Sequence, residues 1–146
     1  MGCLFCKIAN KELVSEIVYE NEAATSVLDI HPIAPGHTMV LPKRHADTIL
    51  DLRDEDIEGV FAAAKQTTAV LQQAFRPDGF TIGINHGSAS GQTVDHLHIH
   101  IVPRFKGDGG SSVHSVVHNP PKETLEELTR KITDAKALNA KPMLKF

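Results

Sequence analysis

The sequence has no excess of positive charge, no long apolar run, no internal repeat and only two cysteines, and each absence excludes something. Lys and Arg number 15 against 18 Asp and Glu, for a net charge of −3 with nine histidines neutral. That balance excludes a nucleic-acid binder held by bulk positive charge. No stretch is long enough to span a bilayer, and the apolar part of MGCLFCKIANKE is too short and interrupted for a secretory signal. Gly2 is followed by CLFC, without the Ser or Thr that a myristoylation signal requires. The expected location is therefore the cytoplasm, with neither nucleic acid nor membrane as a partner. A reducing compartment has little use for a disulfide, so Cys3 and Cys6 are more interesting as half of a metal site.

What is present suits one compact domain: 146 residues, 41% of them hydrophobic. The pattern predicts a short helix around CLFCKIANKE and short strands near Ile17–Tyr19, Ala24–Asp29 and TMVL, the last halted by Pro42. A turn-rich loop, IHPIAPGH, separates the second and third strands. Asp54 is placed to cap a long helix whose face is Ile57, Val60, Phe61, Ala64, Thr68, Leu71 and Phe75. Pro77, Asp78 and Gly79 make a turn, and Phe80–Asn85 reads as a strand. The segment after Arg104 is rich in Gly and Ser and reads as mobile. A last helix is expected to start near Pro121 with Leu125, Leu128, Ile132 and Ala135 on one face. The loop between the late strands is too short for a parallel crossover, so that pair is antiparallel and the class is α+β.

The most informative stretch is DHLHIHIVPR. It places His96, His98 and His100 at every second position with Leu97, Ile99 and Ile101 between them. On a strand, alternate residues share a face about 7 Å apart. The apolar residues then enter the core and three imidazoles line the other face, an arrangement costly to bury without partners. Surface histidines on a half-exposed strand are one explanation. A histidine-only metal site is another, although Asp95, the nearby carboxylate, points to the opposite face. Nucleophilic catalysis is the third. A neutral imidazole attacks phosphorus well, and crowding several together disfavours protonating them all.

HLHIHIV resembles the signature of the histidine triad family. LDIHPIAPGHTMVLPKRH is similar to the family segment ending in Pro-Lys-x-His, INHGSASGQTVDH to its Asn-x-Gly and Gly-Gln loop, and CLFCKI to its amino-terminal start. The four blocks run in the family's order over residues 3–105. The resemblance implies a single domain over residues 1–146, with a core at 3–105 and a helical extension at 106–146. It implies a five-stranded antiparallel sheet with one long helix, in a homodimer with joined sheets. It also implies hydrolysis or transfer at the α-phosphate of purine nucleotide conjugates, through a nucleotidyl-histidine and with no cofactor needed for the chemistry. On that basis His98 is the nucleophile and His100 contacts the α-phosphate. His96 and His37 form an outer relay that fixes the tautomer of His98. Asp29 takes the ribose hydroxyls, Asn85, Gly91, Gln92 and Thr93 hold phosphate oxygens, and Phe5, Ile8, Leu28, Ile30 and Met39 wall the base pocket.

Some bacterial members of the family, and related uridylyltransferases, carry a zinc site whose ligands correspond to Cys3, Cys6, His45 and His96. Such a structural zinc would brace the amino-terminal segment against the histidine strand. A ring nitrogen of His96 that ligates zinc cannot also relay a proton. Thr93 stands where the phosphoramidase branch has serine, while Arg104 with Gly107–Asp108 resembles the dinucleoside polyphosphate hydrolase branch. The leaving group is thus left open by the sequence. A nucleotide-binding regulatory dimer with incidental turnover is the alternative from a different class.

Overall fold

The structure is a computed structural model that describes residues 2–139. One compact unit runs to Gly110 and a second begins at Ser111, so the boundary falls beyond the expected core limit at residue 105. The first unit carries α1 (Leu4–Ala9), β1 (Ile17–Glu20), β2 (Ala24–Leu28), β3 (Thr38–Pro42), α2 (Asp54–Phe75), β4 (Gly79–Gly83) and β5 (Ile99–Arg104). The five strands form one sheet in the order β1-β2-β3-β5-β4, antiparallel at every pairing. This is the α+β arrangement expected from the sequence.

The two central strands are covered on both sides. α2 lies over one face, where Ala24, Val40, Val60, Leu71, Leu97, Ile99 and Ile101 form a buried cluster. α1 covers part of the other, with Phe5 and Ala9 against Val27, Met39 and Leu41. Double coverage explains why β3, TMVLP, is buried along its whole length and does not alternate. Two hydroxyls inside find acceptors. Thr25 Oγ1 donates to the Ala9 carbonyl at 2.7 Å, and Thr67 Oγ1 to Ser26 Oγ at 2.6 Å.

Several boundaries differ from the sequence reading. Asp54 is not the cap of α2 but its first residue. Arg53 holds the cap position without a side-chain cap bond, and Asp54, Glu55 and Asp56 place negative charge in the first turn. The buried face of α2 is Val60, Ala63, Ala64, Thr67 and Leu71. Ile57, Phe61 and Phe75 lie beside it and stay 44%, 46% and 41% exposed. β4 spans Gly79–Gly83 and so stops before Ile84 and Asn85.

β5 begins at Ile99, not at the first histidine. Its ladder partners run out there, since Val40 pairs with Ile99 and Gly83 with His100. Leu97 instead gives its N–H to the Ala46 carbonyl at 2.7 Å, outside the sheet. The Gly-rich segment after Arg104 is ordered into a turn up to Gly110. Asp108 accepts from Arg104 Nε at 2.7 Å and Nη2 at 3.0 Å, and from the N–H groups of Phe105 and Gly110. Arg104 Nη1 also donates to Thr81 of β4 at 3.0 Å. The Arg–Gly-Asp resemblance thus has a structural use here, as the clasp of a turn.

In the second unit, α3 spans Leu125–Asn139, starting later than Pro121. Thr124 and Glu127 fix its start as a reciprocal capping box, T-L-E-E. Glu127 Oε2 accepts from the Thr124 N–H at 2.8 Å and Thr124 Oγ1 from the Glu127 N–H at 3.2 Å. No described residue of α3 is buried, the expected face included.

Candidate active site

The extended segment before β5 and the start of that strand carry the three alternating histidines. Leu97, Ile99 and Ile101 enter the core under α2, each no more than 2% exposed. His96, His98 and His100 turn toward the α1 side. His96 and His98 are buried and His100 is half-buried. Phe5 of α1 stands edge-on to His98, ring centroids 5.1 Å apart, and to His96 at 6.0 Å. His98 and His100 are 4.9 Å apart by centroids.

The ring of His98 is oriented by the main chain of its neighbour. Its Nδ1 lies 2.8 Å from the His96 carbonyl. A carbonyl can only accept, so Nδ1 carries the proton and Nε2 is a bare lone pair. The sequence reading gave this task to the side chains of His96 and His37, but neither ring performs it. His37 Nε2 meets His100 Nδ1 at 2.9 Å. The two nitrogens of His96 are engaged elsewhere. Nε2 faces the Pro42 carbonyl at 2.9 Å, and Nδ1 lies 3.4 Å from the sulfur of both Cys3 and Cys6. The carbonyl of His96 serves His98 while its ring serves the cysteines, which removes the conflict between the two roles.

Cys3, Cys6, His45 and His96 bring four donor atoms within 4.8 Å of one another. His45 Nδ1 is 3.2 Å from Cys6 Sγ, and its Nε2 is 2.6 Å from Asp47 Oδ1. Both imidazoles thus give their N–H to an outer oxygen and present a bare Nδ1 to the thiols. A tetrahedral zinc with two sulfur and two nitrogen ligands holds S and N about 3.5 Å apart. The observed 3.2–3.4 Å separations and the donor set fit that ion. Burial and the adjacent Cys3 push the Cys6 thiol up to about 11.

The remaining expected site residues divide. Asp29 Oδ1 accepts the His31 N–H at 2.8 Å, making a turn, and Oδ2 lies 3.5 Å from His37 Nε2. Together with Leu28 and residues 32–37 it lines an open cavity of about 490 Å³. Asn85 lies beside Gly91, which adopts φ +99°. Thr93 is exposed. Gln92 was expected to reach phosphate, but its amide is fully engaged in the loop. Nε2 donates to the carbonyls of Asp47 and Val94 at 2.7 and 3.0 Å, and Oε1 accepts from the Gly87 N–H at 2.8 Å.

Phe5, Ile8 and Met39 do share one wall, joined by Val27 and Val94, which the sequence reading did not single out. Leu28 is not brought there. Val27 pairs with Met39 and Leu28 with Thr38, so alternation turns Leu28 to the opposite face of the sheet. The antiparallel pairing of β2 with β3 is the signal that selects Val27 for this wall. Ile30 lies at the loop tip and is 86% exposed.

Three histidines of the site, His37, His96 and His100, resist protonation. Burial, then the neighbouring His98 and His37, lowers His100 to about 4. Burial, with contributions from His45 and His98, lowers His96 to about 4 against the opposing bond to Pro42. Burial also lowers His37, opposed by Asp29. His100 gives a test by linkage. The unfolded ring takes a proton near pH 6.5, while the folded ring refuses it until about 4. The unfolded state therefore binds more protons between those values. Stability is full above pH 6.5 and declines as pH falls toward 4, by about 1–2 kcal/mol at pH 5 after allowance for the exposed part of the ring. Urea midpoints measured at pH 7 and pH 5 are expected to shift less in His100→Asn than in wild type. Equal shifts would refute the assignment.

The HIT domain, the histidine triad, matches residues 10–107. An uncharacterized HIT-like protein of Methanocaldococcus jannaschii is 41% identical over 107 residues, 73% of this chain and 82% of that one. The bis(5′-adenosyl)-triphosphatase of Dictyostelium discoideum is 38% identical over 94 residues, 64% of this chain and 63% of that protein. Among solved structures, a HIT family protein from Bacillus anthracis superposes with a TM-score of 0.81 at 32% identity, covering 96% of this chain and 98% of that one. The chain belongs to the HIT family, and its α+β sheet is the fold of that family's structures.

Proposed function

We propose that this protein hydrolyses or transfers nucleotides at the α-phosphate of nucleoside 5′-phosphate conjugates, with His98 as nucleophile. The observation that carries this reading is the bare Nε2 that the bond of Nδ1 to the His96 carbonyl leaves on His98. In the first step Nε2 bonds to phosphorus and the bond to the leaving group breaks, the leaving group departing with its electron pair. Water then attacks, the P–N bond breaks, and the nucleoside monophosphate is released. His100 contacts the phosphate oxygens. Asp29 and the adjacent cavity take the sugar, and Phe5, Ile8, Val27 and Met39 face the base with apolar surface. Asn85, Gly91 and Thr93 contribute donors from the Gly-rich loop, which Gln92 shapes. The D. discoideum relative named as a bis(5′-adenosyl)-triphosphatase supports this chemistry. The test is a panel of adenosine phosphoramidates, diadenosine polyphosphates and nucleoside diphosphosugars assayed with and without chelator. Turnover of none of them would overturn the reading.

Cys3, Cys6, His45 and His96 would hold a structural zinc ion. Such an ion supplies a cross-link between the α1 segment and the residue whose carbonyl orients His98, and no chemical step requires it.

The reading includes a homodimer. β4 is an edge strand, and α2 packs chiefly over β1, β2, β3 and β5. Ile82 on that edge is 52% exposed, and Ile57, Phe61 and Phe75 leave a half-exposed apolar stripe along α2. Sedimentation is expected to give twice the chain mass for wild type and the chain mass for Ile82→Glu. A monomeric wild type at micromolar concentration would remove the dimer.

A further inference from the structure

The loop joining β2 to β3 folds back so that residue 33 faces residue 37. The main-chain N–H of Ile33 donates to His37 Nδ1 at 3.2 Å. An amide N–H can only donate, so His37 Nδ1 is bare, and the neutral ring carries its proton on Nε2. That Nε2 lies 2.9 Å from His100 Nδ1 and donates to it. His100 Nδ1 is therefore bare as well, and neutral His100 carries its own proton on Nε2. His98 has the opposite arrangement, because the His96 carbonyl holds its proton on Nδ1.

We propose that the main-chain N–H of Ile33, acting through His37, is the positioning group that fixes His100 as an Nε2–H donor beside the bare Nε2 of His98. Two like side chains with centroids 4.9 Å apart thereby become a nucleophile and a hydrogen-bond donor. The donor carries no positive charge. Protonating His37 would set an Nδ1–H against the Ile33 N–H, donor against donor, and burial independently keeps His37 and His100 neutral. Were His100 reversed, its Nε2 lone pair would face the phosphate oxygens, acceptor against acceptor. Asp29 Oδ2, 3.5 Å from His37 Nε2, is a competing acceptor at longer range. The same reasoning disfavours a metal ion among Asp29, His37 and His100, although their donor atoms lie within 4.8 Å. A metal on His37 Nε2 would need that ring's proton on Nδ1, where the Ile33 N–H already points.

The inference rests on the reading of His98 and His100 given above, but one arm of its test does not depend on turnover. In ¹⁵N-histidine spectra of the full chain, His37 and His100 are expected protonated on Nε2 and His98 on Nδ1. Replacing Ile33 by its α-hydroxy analogue turns the amide into an ester and deletes this one N–H. Ile33→Pro removes it by a second route, and Ile33→Ala keeps it. The Ile33 side chain is 78% exposed, so its packing contributes little. The ester and the proline variant are expected to mix the tautomers of His37 and His100 and leave His98 unchanged. They are also expected to lower kcat about tenfold with KM within about twofold, while Ile33→Ala keeps the wild-type tautomers of all three rings. A wild-type His100 protonated on Nδ1, or unchanged His100 signals and kcat without the N–H, would overturn the proposal. Were the proline variant unfolded, as an altered His98 signal would reveal, the wild-type spectrum and the ester still decide. Were wild type inactive on every nucleotide, the hydrolase reading would fail and the spectra would still judge the relay.

Discussion

His98→Ala is expected to lower hydrolysis of adenosine phosphoramidates and diadenosine polyphosphates by about 10⁴-fold while leaving nucleotide binding within a few fold. The asymmetry follows from the geometry. The ring of His98 offers one bare nitrogen, and nothing else on that segment duplicates it. His96 spends both ring nitrogens on Pro42 and the cysteine pair, and His100 is tied to His37. The residues proposed to face the base, Phe5, Val27 and Met39, belong to an apolar cluster that does not include His98. His98→Asn, whose smaller side chain still offers a donor to the His96 carbonyl, is expected to lose turnover as completely, which separates loss of the nucleophile from local repacking. The companion measurement is a quench of wild type in mid-cycle with labelled nucleotide, followed by mapping of the label to position 98. Turnover near the wild-type rate in either variant, or label on another residue, refutes the assignment.

The second large effect is expected from Cys3→Ser combined with Cys6→Ser. Wild type as purified should hold close to one zinc per chain and the double variant none. Its stability should fall by about 4 kcal/mol where free zinc stands a thousandfold above the dissociation constant. Four donors already gathered within 4.8 Å leave little ordering to be done when the ion binds. Loss of the cross-link should loosen α1 first, since its six residues bury only Phe5 and Ala9. Because Phe5 stands against His98, KM for nucleotides should rise as the helix loosens. Elemental analysis and thermal melts with and without chelator measure both parts. Less than about one zinc per two wild-type chains, or identical melts for the two proteins, would remove the metal site.

The sequence made some features readable because they depend on period and composition. The alternation of His96, His98 and His100 with Leu97, Ile99 and Ile101 correctly assigned which side chains enter the core. The positions of the strands and the long helix also followed from local pattern, while the antiparallel order of the whole sheet came from the family resemblance. What escaped depends on partners distant in sequence. β5 begins only at Ile99 because its ladder partners end at Val40 and Gly83, and no local window contains either. The orientation of His98 comes from a main-chain carbonyl, which carries no letter in a sequence. Hairpin register decides which face Leu28 takes, and no local window contains that register. Gln92 looked like a phosphate donor, yet its three bonds close a loop against Asp47, 45 residues away. The capping box at Thr124 and Glu127 was legible in T-L-E-E and was missed in favour of Pro121.

Gly36 gives the β2–β3 loop two unequal ends. At φ +85°, a Cβ there would come within 2.8 Å of the Phe75 ring and 3.3 Å of Pro103, so the root of the loop is wedged between the end of α2 and β5. Ile30 and Ile33 at the tip meet mostly solvent. The loop is thus a fixed bracket with a replaceable facing. An engineer could vary side chains at the tip to court different substrates while the bracket keeps His37 aligned.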